Sequence, residues 1–359
     1  MSKILQEKDT MTPAERQAAL IAGEPIDRPP FNPMALGFCA RVHGVDRGAF
    51  YRNPQVAFEA GISLMKAYPW MNTKPSYGWA DRGAWEFGGG IGWPDNNRYA
   101  APYVPAPVIT KPEQLDDLPV PDPLSAGMNA LTHRFNDIAR ANGFGAGLPA
   151  GTPTTAAAGI VGRSRFLSWM DCEPQAVHKV QRKVTDFIIA TAKVVIERHG
   201  AENCGLFSGL PMECNQLISA DHFARFCKPY VREIFDFYRK AGVKTITVHL
   251  CGDHTANLVH WKDIPLPPRT VFTVGHEMDM GVASKAIGPE HILAGNIDNG
   301  ILQAGEPEKV RSETRRALEQ GMKHEGGFIL MPACEIPPEI PLANLEAMAQ
   351  ALGEYGYYR

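Results

Sequence analysis

The chain has 359 residues, 44% of them hydrophobic and 21% charged, with 36 basic against 39 acidic side chains and a formal net charge of −3. So even a balance leaves no basic footprint for nucleic acid or an anionic membrane. No apolar run approaches the ~20 residues of a membrane span, and the opening Met-Ser-Lys-Ile-Leu-Gln-Glu-Lys-Asp lacks the apolar stretch of an export signal. A cytoplasmic protein with neither nucleic-acid nor membrane partners is expected. The seven cysteines (39, 172, 204, 214, 227, 251 and 334) are an odd number without a spacing framework. Each is expected to be a small buried group, a ligand or a nucleophile rather than half of a disulfide.

The first predicted element is a helix with Thr12 as N-cap, Pro13 at its first position, Glu15 completing a capping box and Gly23 just beyond its end. After Pro29-Pro30, the apolar run Phe31 to Phe38 reads as a first strand, followed by a helix from Pro54 to Lys66. From about 68 to 123 the periodicity fades. Four of the six tryptophans (Trp70, Trp79, Trp85 and Trp93) fall there with a Gly88-Gly89-Gly90 run, followed by prolines at 102, 105, 107, 112, 119, 121 and 123. This stretch reads as an insertion or lid, either packed on the scaffold or forming a wall of a binding site.

Beyond it, strands and helices alternate. A helix runs from Pro174 to before Gly200, followed by the strand 205–208, a helix over 221–240, the strand 245–250 and a short helix after Asp253. Strands at 270–274, 292–295 and 327–331 then alternate with helices at 282–287, 307–322 and 341–352. At least five βα units imply a parallel sheet covered by helices. Neither G-x-G-x-x-G nor G-x-x-x-x-G-K-[ST] occurs, which disfavours an open nucleotide-binding sheet. The fold class expected is therefore α/β, a (β/α)8 TIM barrel, with residues 1–359 forming one domain. Its active site would lie at the C-terminal strand ends.

Those ends carry His249-Leu250-Cys251, Gly275-His276-Glu277, Gly295-Asn296-Ile297-Asp298 and Pro332-Ala333-Cys334-Glu335. In an extended run, residues 249 and 251 point to the same side, and Cys334 can reach them across the barrel mouth. Two thiolates, an imidazole and an oxygen ligand suit tetrahedral Zn²⁺. The alternative is a pair of buried thiols beside a hydrogen-bonded core histidine. Ligands from separate strand ends, with no Cys-x₂₋₄-Cys knuckle, indicate a catalytic rather than a structural metal.

The segments Thr12–Pro30, Ile218–Tyr230, His-Leu-Cys-Gly (249–252), Gly-Asn-Ile-Asp (295–298) and 326–348 resemble the uroporphyrinogen decarboxylase superfamily. That resemblance implies a (β/α)8 barrel and one of two chemistries. True decarboxylases carry an Arg-Gln-Ala-Gly-Arg-Tyr segment whose arginines bind substrate carboxylates. The matching stretch here, Met34-Ala35-Leu36-Gly37-Phe38-Cys39-Ala40-Arg41, has neither. The other branch, the zinc-dependent corrinoid methyltransferases, has an H-x-C motif with a distant cysteine, matched by His249, Cys251 and Cys334.

The resemblance thus implies a Zn²⁺ enzyme moving a methyl group between a corrinoid (cobalamin) and a small thiol acceptor or a methoxy or methylthio donor. Glu277 resembles the glutamate ligand of cobalamin-independent methionine synthase and is the expected fourth ligand, with Glu213 as its rival. Glu213, Asn296, Met34 and Trp79 are assigned to the substrate. No corrinoid-binding Asp-x-His-x-x-Gly motif occurs, so the corrinoid is expected on a separate partner protein; a homodimer is left open. The competing readings are a metal-free decarboxylase of another carboxylic acid and a non-catalytic corrinoid- or metal-binding protein.

Overall fold

The computed structural model describes residues 3–95 and 98–358. Six parallel strands form one sheet in sequential order: β1 (Ala146–Gly147), β2 (Cys204–Gly209), β3 (Thr245–Leu250), β4 (Val271–Val274), β5 (Ile292–Ile297) and β6 (Phe328–Pro332). Two further staves are extended segments. Phe31 bridges Leu330 of β6 in parallel, and Asn72 donates its N–H to the Phe31 carbonyl at 2.7 Å. Together they make the eight staves of a (β/α)8 barrel. Among the described residues, no helix is long and apolar enough to cross a membrane.

The first helix forms as its signals require. It spans Pro13–Ala22; Thr12 Oγ1 accepts from the Glu15 N–H, Glu15 returns the bond to the Thr12 N–H, and Gly23 closes the end at φ 76°. This helix plugs the base of the barrel. Leu20 packs with Ile292, Ala294, Ile329 and Met331, the inward-facing side chains of β5 and β6. The outward faces of the staves pack against the surrounding helices in a separate, larger core.

Around the plug lies a buried ion network. Arg28, fully buried, donates from Nε and Nη2 to the two Asp9 oxygens at 2.7 Å each. Arg16 grips Asp27 at 2.6 and 2.8 Å and also approaches Asp9 at 3.1 Å. Tyr357 donates to Asp9 at 2.6 Å, tying the last turn of the chain to the first.

Two expectations are corrected. The run Phe31 to Phe38 is not a full strand: only Phe31 bridges, and Leu36–His43 is a helix closed by Gly44 at φ 79°. The helix expected over 221–240 is interrupted, because Phe223–Cys227 makes a π-helical turn between Ala220–His222 and Lys228–Lys240. The stretch 68–123 begins as the second stave at Asn72, and Trp70, Trp79, Phe87, Ile109, Leu115 and Leu118 within it join the main core.

Candidate metal centre and active site

Register puts the histidine inside the barrel. His249 pairs with Thr273 of β4, and Thr273 with Ala294 of β5, an inward-facing member of the plug cluster. Alternation then turns Thr247, His249 and Cys251 inward. Cys334 enters from the turn after β6. The three ligand atoms lie within 4.8 Å of one another, the one such group of histidine, cysteine and carboxylate side chains among the described residues.

The details of this cluster fit a soft metal. His249 Nδ1 bonds Thr273 Oγ1 at 2.5 Å, which fixes the ring, while its Nε2 is buried without any partner. A buried ring nitrogen left bare is costly unless something else uses its lone pair. The sulfurs of Cys251 and Cys334 are 4.0 Å apart, about twice a disulfide bond length, and the spacing suits two thiolates sharing an ion. Within the pair the Cys251 thiol donates toward Cys334, and His249 adds to the effect. Cys334 is therefore pulled down toward the thiolate despite its burial, whereas Cys251 is pushed up and keeps its proton.

The turn that carries Cys334 is clamped. Asn299 Oδ1 accepts the Cys334 N–H at 3.0 Å, and Asn299 Nδ2 donates to the Glu335 carbonyl. The Glu335 carboxylate accepts the Gly37 N–H at 2.7 Å. Asn299, Thr273 and the Gly37–Glu335 contact escaped sequence reading. Only the register of Thr273 opposite His249 could have signalled any of them.

The other residues expected in the site are placed as follows. Glu277 stands at the same rim, but its carboxylate faces His276 at 3.4 Å and Gln216 at 3.5 Å, outside the three-atom group. Met34 is half-buried, and its carbonyl accepts the Ile336 N–H, two residues past Cys334, at 2.8 Å. Asn296 is fully buried, with its amide donating to the Gly275 and Met278 carbonyls and accepting from Arg316 at 3.2 Å. Trp79 is buried in an aromatic cluster with Tyr51, Tyr77, Trp85 and Trp93.

Glu213 is fully buried. Oε1 accepts from the Thr152 hydroxyl, Oε2 has no partner, and burial pushes its pKa up from 4.5 to about 7. An unfolded chain releases this proton near the ordinary value, whereas the native chain keeps it until about 7. The native state therefore binds more protons in between, and this group lowers stability as pH rises across that window, by about 3 kcal/mol in all. Glu213→Gln should gain stability over wild type in urea unfolding at pH 8 and lose that advantage at pH 5. A difference independent of pH would refute a protonated Glu213.

A family model for uroporphyrinogen decarboxylase (URO-D) matches residues 12–355. The chain is 28% identical to the methylcobamide:CoM methyltransferase MtbA of Methanosarcina mazei over 176 residues, 48% of this chain and 47% of that protein. It is 28% identical to MtaA of Methanosarcina barkeri, also a methylcobamide:CoM methyltransferase, over 206 residues, 56% of each. It is 25% identical to the uroporphyrinogen decarboxylase of Chlorobaculum tepidum over 199 residues, 54% of each. In these matches the chain spans about half the length of its curated relatives. The solved structure of a methyltransferase from Methanosarcina mazei shares the fold, with a TM-score of 0.77 over 96% of this chain and 99% of that one at 22% identity.

Proposed function

Since the chain belongs to the uroporphyrinogen decarboxylase family, we propose that it is the methyltransferase variant of that barrel: a zinc enzyme moving a methyl group between a corrinoid on a separate protein and a small substrate. The observation that carries this reading is the convergence of His249, Cys251 and Cys334 around a buried, unpartnered Nε2. His249, Cys251 and Cys334 would hold the ion, with Glu277 the nearest candidate for a fourth ligand. Bound zinc supplies Lewis acidity, either to lower the pKa of an acceptor thiol or to polarise a methyl ether or thioether.

The chain's own residues do the positioning. With His249 Nδ1–H donating a hydrogen bond to Thr273 Oγ1, the Nε2 lone pair would be left for the ion. Asn299 fixes the backbone from which Cys334 projects. Met34, beside the Cys334 turn, and the buried carboxyl of Glu213 are the residues we assign to substrate. The small molecule would then be held at the barrel mouth in line with the corrin face.

A metal-free decarboxylase is the second reading, favoured by the relatives that bear that name. It is opposed by the thiol cluster and by the lack, in 34–41, of the two arginines of the Arg-Gln-Ala-Gly-Arg-Tyr motif. Metal analysis separates the two, with about one zinc per chain expected for the methyltransferase. Cob(I)alamin methylation, followed by its visible spectrum against a panel of methoxy, methylthio and thiol compounds, should then identify the substrate. A purified protein that binds no zinc and turns over no corrinoid would overturn the proposal.

A further inference from the structure

The cysteines differ in how they meet solvent. Cys39, Cys204, Cys214 and Cys227 are buried and Cys172 is exposed, whereas Cys251 and Cys334 are partly exposed at the open end of the barrel. The way to them is clear. Phe207 of β2 has its ring 5.5 Å from that of His249 and is 41% exposed. It pairs with Thr247, while Gly209 pairs with His249, so Phe207 faces the lumen and marks solvent-accessible space beside the cluster.

The sulfurs of Cys251 and Cys334, 4.0 Å apart, are the one sulfur pair in hydrogen-bonding contact among the described residues. Both backbones are held. Asn299 fixes the turn of Cys334. The Cys251 N–H donates to the His249 carbonyl at 3.1 Å, and Gly252 follows at φ 90°. A Cβ on Gly252 would meet Gln216 Oε1 at 2.9 Å and Cys214 Cβ at 3.1 Å, so this turn is packed. Gln216 Oε1 also accepts the Asp253 N–H at 2.9 Å. The side chains of Cys251 and Cys334 thus keep rotation about Cα–Cβ while their turns stay in place.

Two thiolates on one tetrahedral zinc stand about 3.8 Å apart, and two disulfide sulfurs about 2.05 Å. The observed separation matches the first. Side-chain rotation that closes roughly 2 Å reaches the second. The same two sulfurs can therefore serve an ion or a disulfide, but not both at once. Cys214, across Gly252, lies outside the convergent group.

We propose that Cys251 and Cys334 form a redox switch of the metal centre: a hydroperoxide joins them as an intramolecular disulfide, which releases the ion, and a dithiol restores the site. The release rests on the zinc reading given under the proposed function, whereas the disulfide rests on the geometry of these two thiols alone. In the first step one thiolate attacks the peroxide; an S–O bond forms, the O–O bond breaks, and the departing oxygen takes a proton and leaves as alcohol or water. The second thiol then attacks the sulfenic sulfur; an S–S bond forms, the S–O bond breaks and water leaves. Two thiols and one hydroperoxide give one disulfide, one alcohol and one water, with two electrons passing from sulfur to the peroxide. Of the three convergent ligands only His249 is then left, too few for a tetrahedral site.

The test treats zinc-loaded full-length protein with hydrogen peroxide. Zinc release is followed with a chelating dye, and the linkage by mass spectrometry of peptides digested without reductant. One zinc should be released for each disulfide formed, with the Cys251 and Cys334 peptides joined. Dithiothreitol and fresh zinc should restore the starting state, and Cys214→Ala and Cys172→Ala should respond as wild type does. Cys251→Ser should form no such linkage and carry instead a sulfenic acid at Cys334 that dimedone traps. Three results overturn the switch: zinc lost with sulfinic or sulfonic acid and no linkage, Cys251 joined to Cys214, or thiols and zinc both retained. If wild type binds no zinc at all, it is the zinc reading that fails. The pair is then judged on the metal-free protein, where peroxide should still join the Cys251 and Cys334 peptides; two free thiols after treatment refute it.

Discussion

Cys334→Ala is expected to lower zinc affinity by more than about 100-fold and to reduce methyl transfer to background. Removing an outer-shell partner of a metal ligand already costs about 10–100-fold, and removal of a thiolate is the larger change. Only His249 and Cys251 of the convergent group would remain. The side chain is short and its backbone is held independently by Asn299, so thermal unfolding of the metal-free variant should match that of the metal-free wild type. Cys172→Ala, at an exposed cysteine remote from the cluster in chain and fold, is the control and should leave both properties unchanged. A Cys334→Ala protein that still purifies with one tightly bound zinc would refute the ligand assignment.

The second large effect is on stability. Asp9→Ala should cost about 3–5 kcal/mol, because it leaves the fully buried Arg28 guanidinium without its carboxylate. Asp9→Asn preserves the volume and tests whether the charge is what matters; a loss close to that of alanine is expected. Burial opposes ionisation of Asp9, but hydrogen bonds from Arg28 and Tyr357 and the charges of Arg28 and Arg16 outweigh it and hold its pKa below the usual 3.8. The contribution of this network is therefore fully present above that value and is lost as pH falls through the lower native one. Denaturant unfolding at pH 7 and pH 3 should show the gap between wild type and Asp9→Ala narrowing on acidification. A variant within about 1 kcal/mol of wild type at pH 7 would mean that Arg28 finds another partner or water.

What the sequence disclosed about this fold follows physical lines. Strand β3 matches its predicted bounds, 245–250, because a stave of a closed barrel is apolar on its outer face and hydrogen-bonded on both edges. The capped helix Pro13–Ala22 was legible for local reasons. The helix Met128–Ala141 was not, because its buried face includes Asn129, His133 and Asn136. These side chains do work between elements: Asn129 bonds Thr191, and Asn136 both donates to and accepts from Gly147 of β1. A pattern search for apolar periodicity reads such a face as solvent-exposed.

The candidate site divides in the same way. His249, Cys251 and Cys334 were found because sulfur and imidazole at strand ends are chemically conspicuous. Asn299 was overlooked because Ile-Asp-Asn-Gly reads as a turn, and its partners lie 35 and 36 positions away. Trp79 was singled out for being aromatic, whereas in the folded chain its ring is surrounded by other rings.

The plug made by Leu20 also has a kinetic consequence. A lumen packed with side chains at its base has one doorway, so any reactant bound beside the sulfur cluster must enter and leave by the mouth. A second reactant broad enough to cover that mouth closes the exit of the first. On the methyltransferase reading, turnover would be ordered: the smaller molecule loads before the larger one docks and departs only after it has left. Initial-rate patterns with both concentrations varied should therefore show a compulsory sequence, with the small molecule first.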